Sequence, residues 1–197
     1  MGKRLAPVVI IIEVASVAAL LFLLTQPGLP PRFAVMLVFA LPIFFGLHVT
    51  EEFIFPGGAA DTFRRARPKV AEAYTEDYLY RVNVIPLALA FLVTLGTFDF
   101  AGGFSFFGIR AWLAFVSFQA IHVISYHVAD MFRIRRYSPG IVTGIVLYFP
   151  LAVVAFVYLL GTGVVDVISA VVAVGVGFAV VGGLERIKAT TPHAAVQ

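Results

Sequence analysis

His48, Glu51 and Glu52 stand within five residues in the stretch FFGLHVTEEFIFPGG, at the end of an otherwise apolar run. Carboxylates three and four positions after an imidazole share one side of a helix. At about 100° per residue, Glu51 lies about 60° and Glu52 about 40° from His48. Such a group can hold one metal ion between imidazole and carboxylate. It can also act without metal, as a paired acid and base. Two adjacent carboxylates in a low-dielectric site repel, a cost that a bound dication or an arginine removes. A second polar set lies in AIHVISYHVAD, with His122, Tyr126, His127 and Asp130. On a regular helix His122 and His127 lie about 140° apart and cannot both face one site, whereas Asp130 is about 60° from His127. Glu13, Asn83 and Tyr137 complete the candidates as supporting groups.

The elements that must bring these residues together are set by composition. Of 197 residues, 61% are hydrophobic and 13% charged, about half the charge of a soluble domain. Mean hydropathy is +1.00. This is an all-α integral membrane pattern, with one transmembrane domain over 1–197. Six apolar segments are predicted to span: Ala6–Leu24, Arg32–Phe55, Val82–Phe98, Ala111–Phe132, Gly140–Leu160 and Val164–Leu184. Each approaches the ~20 residues that cross hydrocarbon, where only helices keep the backbone bonded. Glu13 interrupts the first segment, which reads as a retained anchor. There is no cysteine, which excludes disulfides, thiol nucleophiles and iron–sulfur clusters. Any metal must use imidazole and carboxylate, the donors of zinc or iron. The net charge of +3 is no nucleic-acid signal.

Lys3, Arg4, Arg64, Arg65, Arg67, Lys69, Arg81, Arg133, Arg135, Arg136, Arg186 and Lys188 all fall on one side of this arrangement. Only Arg32 and Arg110 fall on the other. The positive-inside rule makes the first side cytoplasmic, so both termini face the cytoplasm of an inner-membrane protein. All candidate residues then lie in the cytoplasmic half, as one polar pocket between the first five spans. Residues 59–80 form a cytoplasmic interfacial loop, with Asp61 capping a short helix through Arg67 and Pro68 opening a second one through Tyr80. Small residues stripe the sixth span as Gly175, Ala179, Gly183 and as Ser169, Ala173, Gly177; both suit close helix packing.

At these residues a family likeness becomes visible. LHVTEE resembles the motif that names the HXXEE family of small bacterial membrane proteins. NVIP at Asn83–Pro86, AIHVIS at Ala120–Ser125 and RRYSPGIVTGIVLYFP at Arg135–Pro150 are similar to later elements of that family. The resemblance covers residues 33–150. It implies site positions and no reaction. The glutamate pair and FQAIH are also similar to elements of prenyl-protein (CAAX-type) intramembrane proteases, but Pro56 stands where that family has arginine.

Three functional classes follow. One is a metal enzyme acting on a lipid-like substrate, its ligands drawn from His48, Glu51, Glu52, His122, His127 and Asp130 and its catalysis from Glu51, Glu52 and His122. The second is a metal-free acid–base isomerase or hydrolase of a lipophilic molecule. The third is a non-catalytic accessory or ion-coupled protein, against which the one-sided polar cluster and the lack of an internal repeat both argue.

Overall fold

The structure, a computed structural model, describes residues 1–99 and 103–190; residues 100–102 and 191–197 and the side chains of residues 185 and 187–190, Lys188 among them, lie outside it. It is helical, with no strand among the described residues beyond one isolated bridge, Phe98 to Phe104. Among the described residues six helices are long and apolar enough to cross a membrane, as predicted. They are α1 (Gly2–Leu24), α2 (Arg32–Phe53), α4 (Glu76–Leu95), α5 (Phe106–Ile134), α6 (Ile141–Gly161) and α7 (Val167–Thr190). The short α3 (Ala59–Ala66) and a 3₁₀ turn, Pro68–Ala73, lie between α2 and α4.

Three helix starts differ from expectation, two of them through a side-chain cap and one through a glycine. The helix expected from Pro68 to Tyr80 stops at Tyr74. Thr75 accepts Tyr78 N–H at 3.1 Å, with Glu76 and Asp77 in the first turn, so TEDYLY opens α4 instead. Ser105 accepts Gly108 N–H at 3.3 Å and starts α5 five residues before the predicted span. The expected Asp61 cap is replaced by Gly58, whose φ of 93° turns the chain into α3, and Asp61 lies in the first turn.

Ion pairs show which helix ends lie together. The Met1 amino group is 3.3 Å from Glu76, and Arg4 covers the Tyr80 ring at 4.8 Å, so α1 and α4 start side by side. The C-terminal end of α2 meets the start of α6 here through Glu51. Arg110 and Asp166, 3.1 Å apart, join the starts of α5 and α7 elsewhere.

Pro42 shows how the core holds its register. It lacks the N–H that would bond the Val38 carbonyl four residues back. That oxygen takes Trp112 Nε1–H at 3.0 Å and Thr94 Oγ1 at 3.5 Å instead, tying α5 and α4 to α2. Of the two small-residue stripes, Ala173 and Gly177 pack on α5; a Cβ at Gly177 would come within 2.9 Å of Phe118 N. Gly175 and Ala179 face outward.

Candidate functional site

The site is built on two interruptions of the α-helical ladder. In α5 the turn Val123–Val128 is π-helical, with Ala129 N–H bonded to the Ile124 carbonyl five residues back. In α6 the turn Gly144–Tyr148 is π-helical as well, with Phe149 N–H bonded to the Gly144 carbonyl. An i→i+5 turn places residues five apart over one another. It therefore overturns the expectation that His122 and His127 diverge. Their ring centroids are 5.2 Å apart, and each lies beside His48, at 6.1 Å and 4.9 Å respectively.

Four side chains converge: His48 and Glu52 from α2, His122 and His127 from α5. One potential ligand atom from each lies within 4.8 Å of the others. Tetrahedral ligands at metal bonds of ~2.1 Å stand about 3.4 Å apart, so the cluster closes on one ion with side-chain shifts of about an ångström. His48, Glu52 and His127 are no more than 2% exposed. Glu52 Oε1 is 3.8 Å from His48 Nε2 and 3.2 Å from His127 Nε2. Neither nitrogen is aligned for a hydrogen bond to it, or to any other described residue. Leaving a buried polar atom unpaired costs about 1–3 kcal/mol, and two such atoms aimed at one carboxylate suit a shared cation. Gly140, with φ of 94°, makes room, since a Cβ there would come within 2.9 Å of His127, His48 and Glu52.

Glu51 is turned elsewhere. Its Oε1 accepts Val142 N–H at 3.1 Å and the Tyr137 hydroxyl; its Oε2 accepts Thr143 N–H at 2.8 Å and the Thr143 hydroxyl at 2.6 Å. The carboxylate thus caps the start of α6, where free amides and the helix dipole favour an anion. A hydroxyl carries one hydrogen. Given to Glu51, it leaves Thr143 Oγ1 to accept from His48 Nδ1, 2.9 Å away. His48 then carries its proton on Nδ1 and turns an unprotonated Nε2 toward the cluster. Burial and the adjacent Glu51 carboxylate raise the Tyr137 hydroxyl above the usual phenol range, so it remains a donor.

Asp130 is likewise engaged outside the cluster, by Arg67 and by Arg133 at 3.2 Å. Arg67 also gives Nη2–H to the Ser125 carbonyl at 3.1 Å and covers the Tyr126 ring at 4.4 Å. It therefore braces the π turn from the 59–80 connection. Tyr126 stacks on His122 with centroids 4.7 Å apart. Glu13 lies against Gly46, and its buried Oε1 has no hydrogen-bond partner among the described residues. A cavity of about 250 Å³ adjoins the cluster, walled by His48, Glu52 and His122 at its buried end and by Arg81 and Ile85 where α4 is exposed. Asn83 lines it, with Nδ2 bonded to the Leu79 carbonyl at 2.8 Å.

Three residues escaped the sequence reading. Tyr148 is buried, with its ring 5.2 Å from His48. Gln119 lines the cavity, and Arg67 supports the π turn. Tyr148 and Gln119 were detectable as polar groups within apolar spans. Arg67 was not, because nothing local separates it from the neighbouring arginines.

The fold and site define a class: a helical bundle with membrane-length apolar helices and a buried three-histidine, one-carboxylate cluster at one end. The chain belongs to the family described as proteins of unknown function with HXXEE motif, whose model matches residues 39–155. His48, Glu51 and Glu52 lie in that range, as do His122 and His127. No curated protein and no solved structure matches the chain.

Proposed function

We propose that this protein is an integral membrane enzyme that uses a divalent metal, zinc or iron, on a lipid-like substrate. The observation that carries the reading is the pair of buried, unpartnered Nε2 atoms of His48 and His127 converging on one Glu52 oxygen, with His122 beside them. Imidazole and carboxylate are the donors these metals take when thiolate is absent. Such an ion supplies Lewis acidity toward a carbonyl or phosphoryl oxygen, or activates a water near neutral pH. Glu52 is the residue for proton transfer, since it lines the cavity together with His122. Glu51 and Asp130 act through others: Glu51 orients His48 by way of Thr143, and Asp130 holds Arg67 against the π turn.

The membrane setting supports the substrate class. An apolar cavity beside the cluster receives a lipophilic molecule directly from the bilayer. The one-sided distribution of basic residues supports an inner-membrane, multi-pass chain with both termini and the site at the cytoplasmic face, residues 59–80 resting at that interface. Membrane lipids are its partners in this reading, and nucleic acid is not.

The test is elemental mass spectrometry on protein purified in mild detergent without chelator. About one zinc, iron or manganese per chain is expected, lost in His48→Ala and His127→Ala variants that still elute as folded protein. Metal-free wild type that also takes up none of these ions on reconstitution would sink the metal reading. The 3.2 Å Glu52–His127 contact would then make a metal-free acid–base pair the working mechanism.

A further inference from the structure

Gln119 stands one turn before His122 on α5, three residues apart and so on the same face. It is 1% exposed, and it lines the cavity beside the cluster. Its Nε2 has no hydrogen-bond partner among the described residues. In apolar surroundings an amide donor finds a partner within its own helix or in a neighbour, and a buried donor left unpaired in a residue that lines a cavity points to a partner that arrives with the ligand. In the lining of the same cavity, Asn83 has given its amide nitrogen to Leu79, which leaves Oδ1 as an acceptor.

One donor on α5 and one acceptor on α4, both in residues that line the cavity, match a group that can both accept and donate. A hydroxyl does this; a hydrocarbon does neither. The side-chain charges around the cavity, taken without a metal ion, disfavour an anionic headgroup. Glu52 is a carboxylate on its wall, and Arg81 at its rim is already held by Asp77 at 2.8 Å. The cavity, about 250 Å³, is also smaller than the ~300–1,000 Å³ that encloses a whole drug-sized ligand. It takes the end of a molecule, whose remainder lies along the exposed part of α4 near Ile85.

We infer that the cavity binds the uncharged hydroxyl end of a lipid alcohol, held between Gln119 Nε2 and Asn83 Oδ1, with its chain extending into the bilayer. This rests on the proposed function for what happens to that end, but the binding stands on the cavity alone. Gln119 is a positioning residue here, and it sets the hydroxyl next to His122.

Photolabelling tests it. An alkyl diazirine with a terminal hydroxyl and its plain hydrocarbon counterpart are each irradiated with purified protein in mild detergent, and labelled peptides are mapped. The expected result is labelling of the α4 and α5 segments around Asn83 and Gln119, with a preference of about five- to tenfold for the alcohol, the weight of one hydrogen bond. An unlabelled fatty alcohol should compete. Gln119→Met should abolish the preference while leaving hydrocarbon labelling unchanged. If that variant does not fold, Asn83→Leu tests the acceptor in the same way. Equal labelling by both probes in the wild type, or an intact preference in Gln119→Met, would overturn the inference. Metal content read on the same samples separates the two ideas. Alcohol preference in metal-free protein keeps this inference and removes the metal; bound metal without preference does the reverse.

Discussion

Glu51 and Asp166 perform the same physical task at two helix starts. Each carboxylate accepts backbone N–H groups and a hydroxyl from the first turn of a membrane-length helix. Asp166 takes Ser169 N–H and the Ser169 hydroxyl, both at 2.8 Å, and pairs with Arg110. It reaches three residues along its own chain and stands exposed. Glu51 takes Val142 and Thr143, more than ninety residues away, and is buried. The local cap starts one helix. The distant cap joins two, and through Thr143 it also sets which nitrogen of His48 faces the cluster. A cap supplied by another helix makes the position of α6 a condition for the chemistry of α2, which a local cap cannot do.

The largest effect should come from Glu51→Ala. It strands Val142 N–H and Thr143 N–H in a part-buried place and frees the Thr143 hydroxyl from its acceptor. A stability loss of about 2–4 kcal/mol is expected from the lost cap and the unpaired donors. Metal stoichiometry should fall with it. Thermal unfolding in detergent, read beside metal content, checks both. A variant that unfolds early yet keeps full metal would break the claim that this cap serves the site as well as the helix.

Thr143→Val sharpens the point, because it removes the relay and leaves the Glu51 cap on the backbone. Loss of a group that orients a ligating histidine typically lowers metal affinity 10–100-fold, and that is the expected result in chelator competition. Stability should fall by about 1–3 kcal/mol, the weight of the two hydrogen bonds the hydroxyl makes, to Glu51 and from His48. Thr143→Ser restores the hydroxyl and should restore affinity. If Val and Ser variants bind metal equally, the hydroxyl does not set the His48 tautomer.

The same contrast explains what was legible in the sequence. The six spans were, because hydropathy over ~20 residues is a local property. So was the gathering of polar residues at one end, which follows from counting spans. The angular argument placed Glu52 and His48 on one face of α2, where they are. It failed on α5, because 100° per residue holds only while the i→i+4 ladder does. No residue in VISYHV announces a π turn; it is held from outside, by Arg67 on the Ser125 carbonyl. In α6 a signal did exist. Pro150 has no N–H to give, and the π turn Gly144–Tyr148 directly precedes Phe149-Pro150. The division of labour between the adjacent glutamates was equally hidden. Glu51 and Glu52 are neighbours in sequence, but the partner that separates their tasks lies on α6.

The smallest effect belongs to Asp166, and its pH dependence gives the comparison a sign. Hydrogen bonds from Ser169 N–H, then from the Ser169 hydroxyl and Arg110, hold its carboxyl at about 2, below the usual aspartate value. A depressed folded-state pKa stabilises the fold above the unfolded value, near 4, and that stabilisation is lost as pH falls from about 4 through about 2. Asp166→Asn removes this term. Its thermal unfolding should be slightly below wild type at neutral pH, and the two curves should converge as the buffer approaches pH 2. Because the group is exposed, salt should shrink the difference further. Metal content should not move at any pH where the wild type retains it, since nothing links α7's cap to His48. A loss of metal in Asp166→Asn matching that in Thr143→Val would mean that the two caps are coupled through α5, which touches both ends, and the distinction between a local and a joining cap would fail.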